Sequence, residues 1–407
     1  MHEGLRFRPP SETYMSIAAT QAVRYIEPRQ PKPPPPVFTN HIWHVAANGS
    51  DANCGTNNAP FRTIQKAADA AQPGDSVLVA PGTYEGFRTV RSGKPREPIL
   101  FKAQGEVVIL ANTNTPADHI LVRSTDWIII EGFTCREAPR AGISVLESSD
   151  VVISNNVCGP SGKWGIFSGF TPRIQILHNK AFGAREQHGI YVSNSRVPDD
   201  NPVLLGNESF ENGGCGIQLN GDCTMGGDGL INGALLDGNI VHDNNSKGLS
   251  LISIEGSRIQ NNVIYNNGHG SGAGGIHLAG EIGCDKPSQQ NIVVNNTIVE
   301  PRIAALRLTD GSSRNVIFNN LIVGRGIADE VHDNRIDSDT NIRGDMPADY
   351  FVDPAAFDFR IGQNSRAAYA GKAYYAEKAA PTNDIAGVAR SSNVPAVGAY
   401  DLIPVQR

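Results

Sequence analysis

Charge is scarce in this chain of 407 residues: Asp, Glu, Lys and Arg make up 19%, and the formal net charge is −6. A basic stripe of the kind that grips a phosphate backbone is therefore lacking, which excludes nucleic acid as the expected partner. Long apolar runs are missing too, and none approaches the roughly 20 residues that cross a bilayer as a helix, so no membrane span is expected. Cysteine is sparse, six in all. With no CxxC pair and no Cys/His zinc spacing, a structural zinc site is excluded, while the redox compartment stays open. Residues 1–40 lack the continuous apolar core of a signal peptide, although Met15-Ser16-Ile17-Ala18-Ala19-Thr20 is faintly like one. Near their end is PKPPPP (Pro31 to Pro36), a stiff extended linker, so they are expected to form a peripheral extension.

Glycine and proline are plentiful, 43 and 26, as suits a turn-rich all-β chain. Asparagine recurs at one place in a repeated phrase: Asn156, Asn179, Asn207, Asn239, Asn262, Asn296 and Asn320. Each closes a short apolar run, as in VVISNN, PVLLGN and IVVNN. The spacings are 23, 28, 32, 23, 34 and 24 residues. A constant phrase with variable spacers marks a solenoid, whose repeats bury their apolar faces only by stacking on neighbours. The apolar pieces alternate, as in Gly189-Ile190-Tyr191-Val192-Ser193, and do not follow helical spacing. Three short strands and three turns per coil of about 22 residues describe a parallel β-helix. Asn suits its turns because it tolerates left-handed backbone and its amide both donates and accepts. Stacked about 4.8 Å apart, such amides bond along the coil axis as a ladder.

The same register places the cysteines. Cys135 and Cys158 both fall two positions after the ladder position, where later coils carry Ala181, Ser209, Val241, Ile264, Ile298 and Ile322. That series reads as interior, so these two are expected as stacked buried thiols and not as a disulfide. Cys215 and Cys223 flank a turn at Asn220 and are candidates to pair; Cys54 and Cys284 have no evident partner.

One strand recurs as GIFSG, GIYVS, GIQLN, GLSLI, GIHLA and ALRLT. Alternation turns its second and fourth residues inward and its third outward. Stacking then makes an outward column of Ser144, Phe167, Tyr191, Gln218, Ser250, His277 and Arg307, with Asn220 in the neighbouring one. Just before the strand come Trp164, His188, Cys215 and Lys247. Most length variation follows this strand, at 194–201, 221–228 and 280–289, where loops would wall a groove.

The ends carry more specific phrases. Residues 61–71 have an amphipathic pattern (Phe61, Ile64, Ala67, Ala68, Ala71) that predicts a helix capping the open end of the solenoid, with Ser76 to Val79 beginning the first coil. NGSD, PFRTIQKAADAAQPGD and VAPGTY between Val45 and Tyr84 resemble the opening of right-handed parallel β-helix proteins of the pectate-lyase-like superfamily. Phe351-Val352-Asp353-Pro354, Asp358-Phe359-Arg360-Ile361 and Val397-Gly398-Ala399-Tyr400-Asp401 resemble its closing segment. The resemblance covers about residues 41–402 and implies an all-β, single-domain right-handed parallel β-helix with an N-terminal capping helix. The expected layout is the extension at 1–40, the β-helix at 41–345 with its cap at 41–84, and a closing segment at 346–407.

The superfamily also implies a secreted or cell-surface protein acting on acidic polysaccharide or another glycan. Its glycosidases use a close set of aspartates with a later Gly-His-Gly; here Asn220-Gly221-Asp222 and Gln187-His188-Gly189 stand in the reverse order, and Asp199-Asp200 lies in a loop, which disfavours a two-carboxylate hydrolase. The Asp-Pro-His phrase of uronan epimerases is missing, and no characterised lyase motif matches residue by residue. The column therefore carries the expectation alone: a lyase that cleaves uronic-acid polymers by β-elimination, with a non-catalytic glycan-binding β-helix or an epimerase as the alternatives. His188 or Lys247 is the candidate base, Tyr191 the acid, and Arg307 or His277 the charge neutraliser. Phe167, Gln218, Asn220 and Arg185 are candidate substrate-binding groups. Calcium, which serves many lyases of the superfamily, would find Glu186, Asp222 and Asp228, with Glu281 and Asp285 as further acidic candidates, a dispersed set.

Overall fold

A computed structural model describes residues 41–111, 117–193, 198–270, 274–300, 302 and 304–402. The predicted extension at 1–40 and the first part of the loop at 194–201 lie outside the described residues.

Short strands wind into coils and pair in parallel with their counterparts one coil away, building sheets of 12, 10 and 11 strands. The first sheet runs from Ile42–Val45 to Arg335–Ile336, the second from Phe87–Arg88 to Ile327–Asp329, and the third from Gly82–Glu85 to Ile342–Gly344. The first coil thus starts one strand earlier than the sequence suggested, because Ile42–Val45 pairs with Ser76–Val79. Aliphatic residues from all three sheets fill one continuous core. The cap helix is Ile64–Ala70, shorter than the 61–71 pattern. Thr63 caps it by accepting from the Lys66 N–H, and Phe61 and Ala71 stay buried just outside it, Phe61 bridging to Val45.

The ladder is continuous. Each asparagine Nδ2 from Asn156 to Asn320 donates to the Oδ1 of the next at 2.9–3.1 Å, and the run extends to Asn341. The same Oδ1 atoms accept from the backbone N–H one coil back, as Asn239 does from Asn207. Donors buried at the turn are thereby satisfied without water. The left-handed residue, however, is the one before each ladder position: Asn155, His178, Gly206, Gly238, Asn261, Asn295 and Asn319 have φ of 53 to 65°. The ladder asparagine is selected for its amide and its predecessor for the backbone bend. Two further ladders went unread in the sequence: Asn212–Asn244–Asn267–Glu300 and Asn291–Asn315–Asn334.

Cys135 and Cys158 are register partners, fully buried and unbridged, in the interior series as expected. From 346 onward the chain packs outside the third sheet, where Phe351, Phe359 and Val397 cover Val263, Leu321 and Val323. It is pinned to the left-handed turn residues: buried Arg390 donates to Asn261 Oδ1, and Asn295 Nδ2 donates to the Ala396 and Gly398 carbonyls.

Candidate functional site

Strand register confirms the column on the second sheet, Ser144 to Phe167, Tyr191, Gln218, Ser250, His277 and Arg307 in successive coils. Its inward neighbours, such as Ile190, Ile217 and Ile276, are wholly buried. The face is not the open, flat surface that alternation implies. Ser144 and Ser250 are buried, and His277 keeps only 7% of its surface, so outward-pointing side chains here line a cleft.

Two loops leave the sheet beside the column, after Ile217–Asn220 and after Ile276–Ala279. A disulfide between Cys223 and Cys284 ties them together across the intervening coil. This overturns the expected Cys215–Cys223 pair. Cys215 lies before the strand Ile217–Asn220 and Cys223 after it, at opposite ends, whereas Cys284 stands on the same side as Cys223, two coils away. Cys215 is a free buried thiol, pushed above its ordinary range by burial, and its backbone N–H donates to His188 Nδ1 at 3.0 Å.

Lys247 is the electrostatic centre of the cleft. Burial, followed by the charges of Lys247 and Lys163, lowers the His188 pKa to about 4. Burial, followed by Lys247 and Arg307, lowers that of His277 to about 4 as well. Both imidazoles are therefore neutral at neutral pH. Burial also raises the Tyr191 phenol, which lies 3.5 Å from Asn220 Nδ2 and within the field of Asp222 and Glu281. Glu281 is raised by burial and by Asp222. Two buried polar atoms of this cleft, Asn220 Oδ1 and His277 Nδ1, have no hydrogen-bond partner among the described residues. Buried polar atoms left open in a cleft suit a polar ligand. The second nitrogen of His277 is held by Thr309 Oγ1 at 2.9 Å.

Toward the N-terminal end the column turns aromatic. The Trp164 and Phe167 rings stack at 4.3 Å, and Phe167 stacks on Tyr191 at 5.4 Å. Lys163 Nζ stands 4.5 Å from the Trp164 ring, and His188 meets Tyr191 edge-on at 5.4 Å. Gln218 is half-buried beside Tyr191.

The remaining sequence candidates sit elsewhere or are otherwise engaged. Arg307 is held by Glu330 at 2.8 Å, a pairing across coils that the sequence did not reveal. Arg185 pairs with Glu137 and lines a separate pocket of about 420 Å³ with Glu211, Asp243 and His269. Glu186 lies ahead of the strand Ile190–Ser193, and Asp222 follows the strand Ile217–Asn220, at the opposite edge of the sheet. Asp228 accepts from the Leu230 N–H in the loop. The predicted trio of Glu186, Asp222 and Asp228 is thus not gathered, and among the described residues no group of three or more His, Cys, Asp or Glu suits a metal ion. Glu281 is the carboxylate that accompanies Asp222. Calcium takes about six to eight oxygens, more than this pair and Asn220 supply.

Residues 43–297 match the family model described as the Pel9A-like, right-handed β-helix region. The uncharacterised protein YwoF of Bacillus subtilis (strain 168) is 28% identical over 321 residues, which are 70% of this chain and 63% of YwoF. Pectate lyase PEL9 of Emericella nidulans is 35% identical over 91 residues, 21% of this chain and 22% of that enzyme. The chain thus spans less than two thirds of either relative. The crystal structure of pectate lyase Pel9A superposes with a TM-score of 0.65 at 17% identity, covering 90% of this chain and 98% of that one, a likeness of fold.

Proposed function

The chain belongs to the Pel9A-like right-handed β-helix family, and from that premise we propose that it is an exported lyase that cleaves uronic-acid polysaccharide by β-elimination in the cleft on the second sheet. The observation that carries this reading is the meeting of Lys247, Tyr191 and two neutral histidines around buried polar atoms that lack partners. β-Elimination removes the proton beside the uronate carboxylate, breaks the bond to the glycosidic oxygen and leaves a carbon–carbon double bond. The base takes one proton, and the departing oxygen must receive another.

His188 is poorly suited as the base, because a group with a pKa of about 4 has little affinity for a carbon-bound proton, and its Nδ1 is already occupied. That task is assigned to Lys247, whose amine takes and keeps the abstracted proton. Tyr191 stays protonated through burial and delivers its proton to the leaving oxygen. Neutral His277, whose Nε2–H donates to Thr309 Oγ1 while that hydroxyl donates to Asp310, keeps Nδ1 as an acceptor, so Nδ1 and Asn220 Oδ1 orient the sugar by accepting from its hydroxyls, and Arg307 is taken by Glu330. Phe167 offers an aromatic ring to the sugar next along the chain.

The test is ultraviolet absorbance of the unsaturated product during incubation with pectate, alginate and glycosaminoglycans, each with calcium and with a chelator. Absorbance should rise on at least one of them and vanish for Lys247→Ala. A flat trace on every polymer defeats the lyase reading, and retention on a polymer column without turnover would make the protein a glycan binder.

A further inference from the structure

Beyond the catalytic cleft, the outward column continues toward the N-terminal end. Ser144 pairs with Leu121, and Leu121 pairs with Arg88. In the neighbouring column Leu146 pairs with Arg123. Arg88 and Arg123 are exposed and line a pocket of about 320 Å³ with Thr89, Val90, Leu121 and Ser124. Its floor is braced by a hydrogen bond between the Thr89 and Thr125 hydroxyls. Arg123 has only a loose contact to Glu147 at 3.7 Å, and Arg88 has no carboxylate partner among the described residues.

We infer that this pocket is a distal subsite that binds a carboxylate of the same acidic polymer, so that the substrate lies along the coil axis. The inference rests on the lyase reading and deepens it. The strand of Arg123 lies three coils from that of Tyr191, about 14 Å at the spacing of neighbouring strands. The coils between present Ser144, Leu146, Phe167 and Gly169, with no charge among them. At Gly169 a side chain would press on Leu146 and Phe167, at 3.3 and 3.4 Å from its Cβ, so glycine keeps that stretch of floor low. Cations at one end, an uncharged, partly aromatic floor and a polar cleft at the other suit a polymer with an apolar ring face and repeated carboxylates. Guanidinium groups grip carboxylates in two-pronged fashion.

The test compares the wild type with an Arg88→Ala/Arg123→Ala double variant by affinity electrophoresis in gels containing polygalacturonate or alginate, and by titration with oligomers sorted by length. Both side chains are exposed, so the variant should keep the wild-type unfolding midpoint. Oligomers long enough to reach Arg123 from Tyr191 should bind the variant roughly tenfold more weakly, while shorter ones bind it as they bind the wild type. Equal affinity for long oligomers, or the same loss for short ones, overturns the subsite. A wild-type chain that no acidic polymer retards overturns the lyase reading and the subsite with it.

Discussion

Replacing Glu300 by Gln should make the protein less sensitive to alkaline pH. Glu300 ends the second ladder, where its carboxylate accepts from the backbone N–H of Asn267 at 3.1 Å and from Asn267 Nδ2 at 2.8 Å. It is wholly buried, and burial raises its pKa to about 7 against the hydrogen bonds that favour the charged form. A carboxyl whose folded pKa exceeds its unfolded value contributes stability that is fully present below the unfolded value of 4.5 and is lost as pH rises through 7. That shift corresponds to about 3 kcal/mol lost between pH 4.5 and 8.5. Glutamine keeps the acceptor, as the amides earlier in the ladder do, and carries no charge to desolvate. Denaturant midpoints of both proteins across this range should therefore diverge, the variant gaining on the wild type by about 3 kcal/mol at the alkaline end. Other titrating groups are common to both chains and cancel in the difference. Parallel curves would refute the argument, since they would mean that the carboxylate is charged at no cost in place.

Asn239→Ala removes the acceptor of both the Asn207 N–H and Asn207 Nδ2 inside the first ladder, and stranding buried donors should lower stability by about 3 kcal/mol in chemical denaturation. His188 and His277 predict acid sensitivity. Their folded pKa values of about 4 lie below the ordinary histidine value of 6.5, so the stability that they confer is present above 6.5 and is lost as pH falls through 4. The loss is about 3 kcal/mol for each histidine, and a His277→Gln variant should show a shallower acid limb in its pH–midpoint curve. Tyr191→Phe keeps the ring stack on Phe167 but removes the proton donor. Turnover of a uronan should fall by roughly 10²- to 10⁴-fold with polymer affinity unchanged; an unaffected rate would assign the acid role to another group.

What could be read from the chain, and what could not, follows from how each feature is encoded. Repetition is legible because every coil restates it: the seven asparagines, the interior series through Cys135 and Cys158, and the column from Ser144 to Arg307 all follow from register alone. The second ladder carried the same kind of signal, since Asn212, Asn244 and Asn267 each stand five residues after a first-ladder asparagine. It spans few coils and ends in a carboxylate four residues after Asn296, which breaks the phrase. The site was less legible because its chemistry depends on features that occur once. Alternation correctly turns Ser250 and His277 away from the core, but it does not reveal that both are buried there. The cysteine pairing shows the same divide. Cys215 and Cys223 are close in sequence but separated by an extended strand, whereas Cys223 and Cys284 are 61 residues apart and joined. In a solenoid, proximity is measured in coils on one edge of a sheet and not in residues. By that measure Glu330, one coil beyond Arg307, was its natural partner, and Lys247, beside both histidines, was the natural centre of the cleft.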